Sequence, residues 1–418
     1  MSRQGHPQDH PVAPSLQIEG DGGAIVALWL VTAYLLLIIG GIGFFRSGQA
    51  TVAGNPLSYP RAIFTAVNAA TLTGFQQSVA LDSLQPAGKI CAAVLMIGGS
   101  FLTICVSTIA VARILRKRLS TALILLAAAI AQIFVLLIGG FTLRAPAADL
   151  WPAMFQAASA FNNCGLTLGA WPGANDSQTY LAVLPLAIVG GLGLPVLIEL
   201  FTCVFRNTAL SKHTRTVLMA SAAAFLVAFV ACAWFAMPDQ AIGEISADRW
   251  RQGLSSGLIA GVNTRTAGMP IEYVYDYPRA MQWLLIALMF VGGAPAGAAG
   301  GLKVTTLVVL FSGARRALRS ESPGRSFGIA IAWLAIFSLL IFFSMLWLLQ
   351  SAPEISSDRA LFITVSAASN VGLSPDPLSI TAANGYAISM TMLLGRMFPM
   401  GVLWWMASTT RDAEIAVG

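Results

Sequence analysis

Four short segments of the chain combine small polar side chains with a single glycine, and each lies between long apolar runs. They read TLTGF at residues 71–75, NNCGL at residues 162–166, RTAGM at residues 265–269 and SNVGL at residues 369–373. Their glycines recur at intervals of roughly one hundred residues, which indicates a fourfold internal repeat. Glycine adopts backbone angles that other residues resist, so neighbouring carbonyl groups can face the same way.

Backbone carbonyl groups that converge from four loops can replace the hydration shell of an alkali cation. The sequence therefore predicts a selectivity filter that takes three residues from each segment. These residues are Leu72, Thr73, Gly74, Asn163, Cys164, Gly165, Thr266, Ala267, Gly268, Asn370, Val371 and Gly372. Arg265 is not expected to face the ion, because a cation beside the filter would hinder conduction. We expect Arg265 to brace the filter loops through hydrogen bonds to carbonyl groups or to outer carboxylates such as Asp276.

The composition places these segments in a membrane. The 418 residues are 56% hydrophobic and only 10% charged, with a mean hydropathy of +0.75, whereas soluble domains are about 25% charged. Eight apolar stretches exceed the roughly 18 residues that mark a transmembrane helix. They span residues 24–45, 87–111, 121–143, 180–205, 217–237, 280–312, 329–349 and 386–408. A shorter amphipathic segment precedes each filter glycine, and irregular backbone is tolerated at membrane depth only inside protein or beside water.

The pattern predicts an all-α polytopic membrane protein with eight transmembrane helices and four re-entrant pore loops. Four pseudo-symmetric M1–pore helix–M2 repeats would surround one central ion pore. Their predicted bounds are residues 23–118, 119–215, 216–325 and 326–418. Residues 1–22 are polar and carry no signal-peptide pattern, so we expect them to form a disordered cytoplasmic tail.

The distribution of charge predicts the orientation of the chain. Basic residues are concentrated in three connections, at residues 113–118, 206–215 and 315–325, whereas the segments between them carry mostly acidic side chains. The positive-inside rule places the basic connections and both termini in the cytoplasm. Topology alone then explains the net charge of +6, and no nucleic-acid partner is expected.

The sequence does not support an enzyme. GLSSG at residues 253–257 fits the GxSxG pattern, but no strand precedes it. The histidines, His6, His10 and His213, fall in the tail or a cytoplasmic connection, and there is no GxxxxGK[ST] phosphate loop. We therefore predict that the chain is not an enzyme, and that its energy comes from an ion gradient, the membrane potential or a partner.

From about residue 24 to residue 410, the chain resembles the Trk/Ktr/HKT potassium transporter superfamily, and specifically its membrane subunit of the TrkH/KtrB type. The family carries one glycine in each of four filter loops, and TRTAG and SNVGLS are close to its third and fourth loop patterns. GGAPAGAAGGLKVTT at residues 292–306 looks like the family's break in the second helix of the third repeat. LLGRMFP places Arg396 at the position of the family's arginine in the last helix.

The resemblance implies that residues 292–306 form an intramembrane gating loop below the filter. Its candidate gating residues are Gly297, Gly300, Gly301 and Lys303. Small residues four apart also serve ordinary packing between membrane helices, so this alternative stays open. The density of glycine and alanine around Pro295 nevertheless favours a broken helix, and Lys303 needs water or a partner.

Arg396 is the second gating candidate that the resemblance implies. An arginine near the middle of an apolar run costs about 2.5–3.5 kcal/mol on insertion scales, so such residues are functional or paired. As a cation facing the pore beneath the filter, Arg396 would repel potassium and form a barrier. The alternative is an ion pair with Glu199, the one acidic residue within the apolar runs.

The family resemblance also implies partners and a location. We expect a homodimer in the bacterial cytoplasmic (inner) membrane, in contact with membrane lipids and with a cytosolic RCK/KTN-type nucleotide-binding regulatory ring. ATP/ADP, NAD(H) or cyclic di-AMP would bind that ring, and no cofactor is expected on this chain. The basic connections at residues 113–118 and 315–325 are candidate docking surfaces, although the positive-inside rule accounts for them equally well.

The sequence thus predicts potassium uptake across the plasma membrane, driven by the electrochemical gradient and gated by the intramembrane loop under the control of cytosolic subunits. Two alternatives remain. One is the potassium-translocating subunit of a P-type ATPase complex, and the other is a non-conducting membrane sensor or scaffold with the same fold.

Overall fold

The computed structural model describes residues 19–51, 54–77, 81–117, 119–144, 149–237, 247–409 and 415–417. Residues 1–18 of the predicted tail lie outside this description, whereas residues 19–22 belong to the first helix. The described residues form helices and loops, with isolated β-bridges as their sole extended pairing. The fold is therefore all-α, as the apolar segments predict.

The described chain repeats four times the order of a long first helix, a short helix and a second helix. The first helices are α1 (Glu19–Arg46), α4 (Thr121–Leu143), α8 (Lys212–Ala236) and α12 (Arg325–Ser351). The short helices are α2 (Tyr59–Ala70), α5 (Leu150–Phe161), α9 (Ala247–Val262) and α13 (Ser357–Ala368). The second helices are α3 (Pro86–Ile114), α6 with α7 (Thr179–Gly191 and Leu194–Arg206), α10 with α11 (Arg279–Met289 and Val304–Leu318) and α14 (Ala382–Thr409).

The second helices of the second and third repeats are interrupted. Helices α6 and α7 meet at an angle of 106°, and Gly193 at the break has a φ of +87° that favours glycine. Helices α10 and α11 are separated by residues 290–303, a stretch rich in glycine and alanine. Among the described residues, six helices are long and apolar enough to cross a membrane, or seven if the bent pair is one span. The eight predicted segments are therefore six continuous helices and two broken ones.

Burial separates the long helices from the short ones. The long helices expose large apolar side chains, such as Trp29 at 69% and Phe343 at 62%, as expected of a surface that faces lipid. The short helices instead bury nearly their whole C-terminal halves, from Phe64 to Ala70 in α2 and from Phe362 to Ala368 in α13. The long helices thus enclose the short ones, and the four segments that follow the short helices lie inside the protein.

Candidate functional site

The four glycine segments meet in a closed ring. Each glycine has a positive φ, of 76° at Gly74, 77° at Gly165, 53° at Gly268 and 84° at Gly372. Each also lies against the backbone of a neighbouring segment, so closely that a Cβ atom would approach a carbonyl oxygen. A Cβ atom on Gly74 would lie 1.3 Å from the carbonyl oxygen of Cys164, and one on Gly165 would lie 2.8 Å from that of Ala267. The corresponding distances are 1.8 Å from Gly268 to Val371 and 1.8 Å from Gly372 to Thr73. Each repeat therefore contacts the next one, and the fourth repeat contacts the first.

These carbonyl groups belong to residues that the sequence analysis selects as ligands of the ion. In every segment the carbonyl oxygen of the residue before the glycine lies beside the glycine of the preceding segment, and at Gly165 the oxygen of Gly268 lies slightly closer, at 2.6 Å. All four of these residues, Thr73, Cys164, Ala267 and Val371, are fully buried. The structure therefore brings the predicted filter residues together from positions far apart in the chain.

Three of the four segments share a backbone conformation, and the third differs. Leu72, Asn163 and Asn370, each two residues before a glycine, have φ values of 60°, 53° and 51°. The third segment instead continues helix α9 as a π-helical turn, Asn263–Ala267. The ring is therefore pseudo-symmetric, and its irregular quarter contains Arg265.

Buried amide side chains hold the filter segments in place. In the first repeat, Asn68 donates to the carbonyl of Phe75 at 3.0 Å and accepts from its N–H at 2.9 Å. Asn263 forms the same pair of hydrogen bonds with Met269, at 2.8 and 3.2 Å. Sequence reasoning missed both asparagines. A signal existed, because each is an asparagine five or six positions before a filter glycine.

Two asparagines of the filter segments attach the ring to the second helices. The amide of Asn163 donates to the carbonyl of Ala187 in α6 at 3.0 Å, and that of Asn370 donates to Met392 in α14 at 2.9 Å. Asn370 also donates to the Thr73 hydroxyl at 3.0 Å, which joins the fourth segment to the first. Their side chains therefore act as braces, while their backbone carbonyls belong to the ring.

Glycines of the second helices allow close packing against the ends of the short helices. A Cβ atom on Gly99 of α3 would lie 2.2 Å from the carbonyl oxygen of Ala70, and one on Gly395 of α14 would lie 2.1 Å from that of Ala368. In the second repeat, Gly190 lies against Phe161, with a distance of 1.6 Å. The C-terminal end of a helix carries a negative partial charge. These contacts thus hold three such ends where their filter segments begin.

The predicted gating loop lies against the fourth filter segment. A Cβ atom on Gly300 would lie 2.2 Å from the carbonyl oxygen of Ser369, so this glycine touches the base of the ring. Gly301 has a φ of +68°. Lys303 is 4% exposed and donates to the carbonyl of Ala299 at 2.5 Å. The ammonium group therefore folds back onto its own loop.

Arg396 connects the filter to this loop. Its guanidinium donates from Nε and Nη2 to the carbonyl oxygen of Thr71, at 2.9 and 2.5 Å, and from Nη1 to that of Ala298, at 2.8 Å. The residue is 5% exposed and lines a cavity of about 20 Å³ together with Gly300 and Lys303. Such a cavity holds about one water molecule.

The alternative pairing of Arg396 with Glu199 is wrong. Glu199 forms its ion pair with Lys117 instead, and the guanidinium of Arg396 contacts carbonyl groups. The two residues are therefore engaged in separate parts of the molecule.

Arg265 braces a different element from the one predicted. Its Nη2 donates to the carbonyl of Gly292 at 2.9 Å, and its Nη1 to that of Ser221 at 3.4 Å. Neither acceptor is a filter loop or Asp276. Arg265 therefore holds the beginning of the predicted gating loop.

Comparisons with known proteins agree with this architecture. Residues 118–403 match the TrkH family, described as cation transport protein. The fold is similar to the crystal structure of the potassium transporter TrkH from Vibrio parahaemolyticus, with a TM-score of 0.71 over 96% of this chain and 87% of that one, at 17% identity.

Curated relatives are similar at low identity. Ktr system potassium uptake protein B of Vibrio alginolyticus is 25% identical over 61% of this chain and 58% of that protein, and its Bacillus subtilis counterpart is 26% identical over 64% of each. Both alignments thus span less than two thirds of the relative. Potassium/sodium uptake protein NtpJ of Enterococcus hirae is 26% identical over 91% of this chain and 92% of that protein. Because the family match covers well over half of the sequence, the chain belongs to the TrkH family of cation transport proteins.

Proposed function

We propose that this chain takes up potassium through the ring of four glycine segments. The closed cycle of carbonyl oxygens and glycines is the observation that carries the proposal. The ring offers neutral backbone dipoles and no carboxylate, which suits a large monovalent cation that must bind and leave quickly. The ligands would be the backbone oxygens of Leu72, Thr73, Asn163, Cys164, Thr266, Ala267, Asn370 and Val371.

The gate would lie directly below the ring. Gly297, Gly300, Gly301 and Lys303 form the loop that closes the path, and Arg396 fixes the loop to the filter. A buried guanidinium at this position also repels a cation that leaves the ring. In this proposal, opening requires the loop to move away from Ser369 and the hydrogen bond between Arg396 and Ala298 to break.

Uptake needs no chemical step in this chain. An inside-negative potential contributes about 2.3 kcal/mol per charge per 100 mV, which favours the entry of a cation. We place the protein in the bacterial cytoplasmic membrane with both termini inside. Its partners would be a second copy of the chain and a cytosolic nucleotide-binding ring, as the family resemblance implies. The repeat bounds given above remain part of this proposal.

The test is rubidium and sodium flux into liposomes that contain the purified chain, without ATP. We expect rubidium entry that potassium blocks and sodium blocks poorly. Replacement of Gly74 by Ser should raise the ratio of sodium to rubidium entry, because the new side chain displaces the carbonyl of Cys164. Gly169→Ser is the matched control, since Gly169 has the same φ of 76° and nothing within 4 Å.

The outcomes separate the alternatives. No flux from a folded chain, even in variants with a disrupted gate, would favour the sensor or scaffold. Flux that requires ATP and a copurifying ATPase subunit would favour the pump complex. Equal entry of sodium and rubidium would show a cation pathway without potassium selectivity and would refute the filter assignment.

A further inference from the structure

The break between α6 and α7 is bonded to the gating loop. Two N–H groups of the loop donate across this contact, from Ala294 to the carbonyl of Gly191 at 3.0 Å and from Ala298 to that of Gly190 at 3.1 Å. In return, the N–H of Leu194 donates to the carbonyl of Ala296 at 3.2 Å. The interruptions of the second and third repeats therefore form one hydrogen-bonded unit.

Gly193 makes this docking possible. Its φ of +87° suits glycine, and a Cβ atom there would lie 2.5 Å from the carbonyl oxygen of Pro295. The residue sits at the N-terminus of α7, immediately before the N–H that bonds Ala296. Any displacement of this end of α7 therefore displaces the gating loop as well.

The same helix is anchored by Glu199 in its middle. The carboxylate accepts hydrogen bonds from the ammonium of Lys117, from the backbone N–H of Ser211, from the Ser211 hydroxyl at 2.9 Å and from the Thr214 hydroxyl at 2.7 Å. Lys117 follows the end of α3, and Ser211 and Thr214 lie at the start of α8. Glu199 thus ties α7 to two of the basic connections.

The anchor and the gating loop are close along the helix axis. Glu199 is five residues from Leu194, which corresponds to about 7.5 Å at 1.5 Å per residue. A helix of this length is rigid, so a shift of the anchored part moves the loop by a similar distance.

We propose that Glu199 is a positioning residue of the gate. By holding α7 against the ends of α3 and α8, it keeps the gating loop in the closed position, and a displacement of these ends releases the loop. The inference rests on the proposed function, because it assigns a control to the same pathway.

The experiment measures rubidium flux in liposomes of the full chain without any partner. Glu199→Gln removes the charge and keeps the shape of the side chain, and we expect flux to rise at least about tenfold, the factor that corresponds to about 1.4 kcal/mol. The ratio of rubidium to sodium entry should stay at the wild-type value, because the filter is untouched. Glu354→Gln, at an exposed glutamate remote from α7, is the control and should leave the flux unchanged.

A second variant keeps the proposal testable if Glu199→Gln does not fold. Gly193→Ala should also raise flux at constant selectivity, because the new Cβ atom pushes the loop at Pro295 away. Gly169→Ala introduces an alanine at a similar φ with no neighbour within 4 Å, and should have no effect on flux.

Arg396→Ala serves as the open reference, since it removes the bond between the filter and the loop. If Arg396→Ala conducts while Glu199→Gln and Gly193→Ala stay at the wild-type flux, the role of α7 is refuted and the proposed function stands. A change of selectivity in Glu199→Gln would also overturn the role of α7. If no variant and no wild-type sample conducts, the proposed function itself fails.

Discussion

Replacement of the four filter glycines by alanine, one at a time, should reduce uptake in an order set by the contacts of each glycine. All four have a positive φ, so each alanine carries a similar conformational cost of about 1–2 kcal/mol. The steric cost differs, because the nearest carbonyl oxygen to the added Cβ atom lies at different distances. These are 1.3 Å at Gly74, 1.8 Å at Gly268 and Gly372, and 2.6 Å at Gly165.

The displacement that each alanine forces follows from these distances. Real Cβ atoms essentially never approach closer than 3.0 Å. The carbonyl of Cys164 must therefore retreat by about 1.7 Å for Gly74→Ala, whereas about 0.4 Å suffices for Gly165→Ala. Where function depends on the placement of ligands, a misplacement of about 1 Å lowers the rate by about a hundredfold. We expect Gly74→Ala to lose about a hundredfold or more of rubidium uptake and Gly165→Ala to lose less than about tenfold, with Gly268→Ala and Gly372→Ala between them.

The assay is rubidium uptake by potassium-starved cells, normalised to the amount of folded protein in the membrane. Gly169→Ala has a comparable φ and free space around it, so it should retain wild-type uptake and isolates the conformational cost. Equal losses at all four positions, or the largest loss at Gly165, would refute the reasoning that the contacts between neighbouring segments set the geometry of the ring.

Three further substitutions test the elements around the ring. Arg396→Ala should raise rubidium flux in liposomes, because it removes the barrier charge and the link to the gating loop, and a pure loss of folding would contradict this role. Arg265→Gln should also raise flux, since the hold on Gly292 weakens, whereas unchanged flux would argue against bracing of the loop. Gly395→Ala should destabilise the protein by about 1–3 kcal/mol in thermal unfolding, because its Cβ atom meets a backbone carbonyl at 2.1 Å. Gly401→Ala on the same helix has nothing within 4 Å and should leave stability unchanged.

The repeat and the filter segments could be predicted from the sequence because their signals are local. The length of an apolar run is set by the thickness of a bilayer, and a position that needs a positive φ is indicated by a single glycine. The interruption around Pro295 was also visible, since this proline lies in a run of small residues that cannot continue a helix in a regular way. These features need no knowledge of which helices are neighbours.

The partners of the buried charges could not be predicted in this way. Arg396 and Glu199 were the evident pair by charge, yet Glu199 bonds to Lys117, and Arg396 bonds to Thr71, 325 positions away. Backbone carbonyls are present at every residue, so a sequence gives no sign of which of them a guanidinium will meet. The preference follows from packing, because a helix break frees carbonyls that must find donors.

The same argument explains why the proposed gate lies on one side of a pseudo-symmetric ring. Only two second helices are broken among the described residues, and each break leaves N–H and C=O groups without helical partners. The breaks at residues 190–193 and 292–303 lie in neighbouring repeats, so their free groups satisfy one another. The continuous helix α14 reaches the loop with a side chain instead, since Arg396 donates to the carbonyl of Ala298. The asymmetry of the second helices thus accounts for the place of the proposed gate, and for whether a repeat contacts the loop through its backbone or through a side chain.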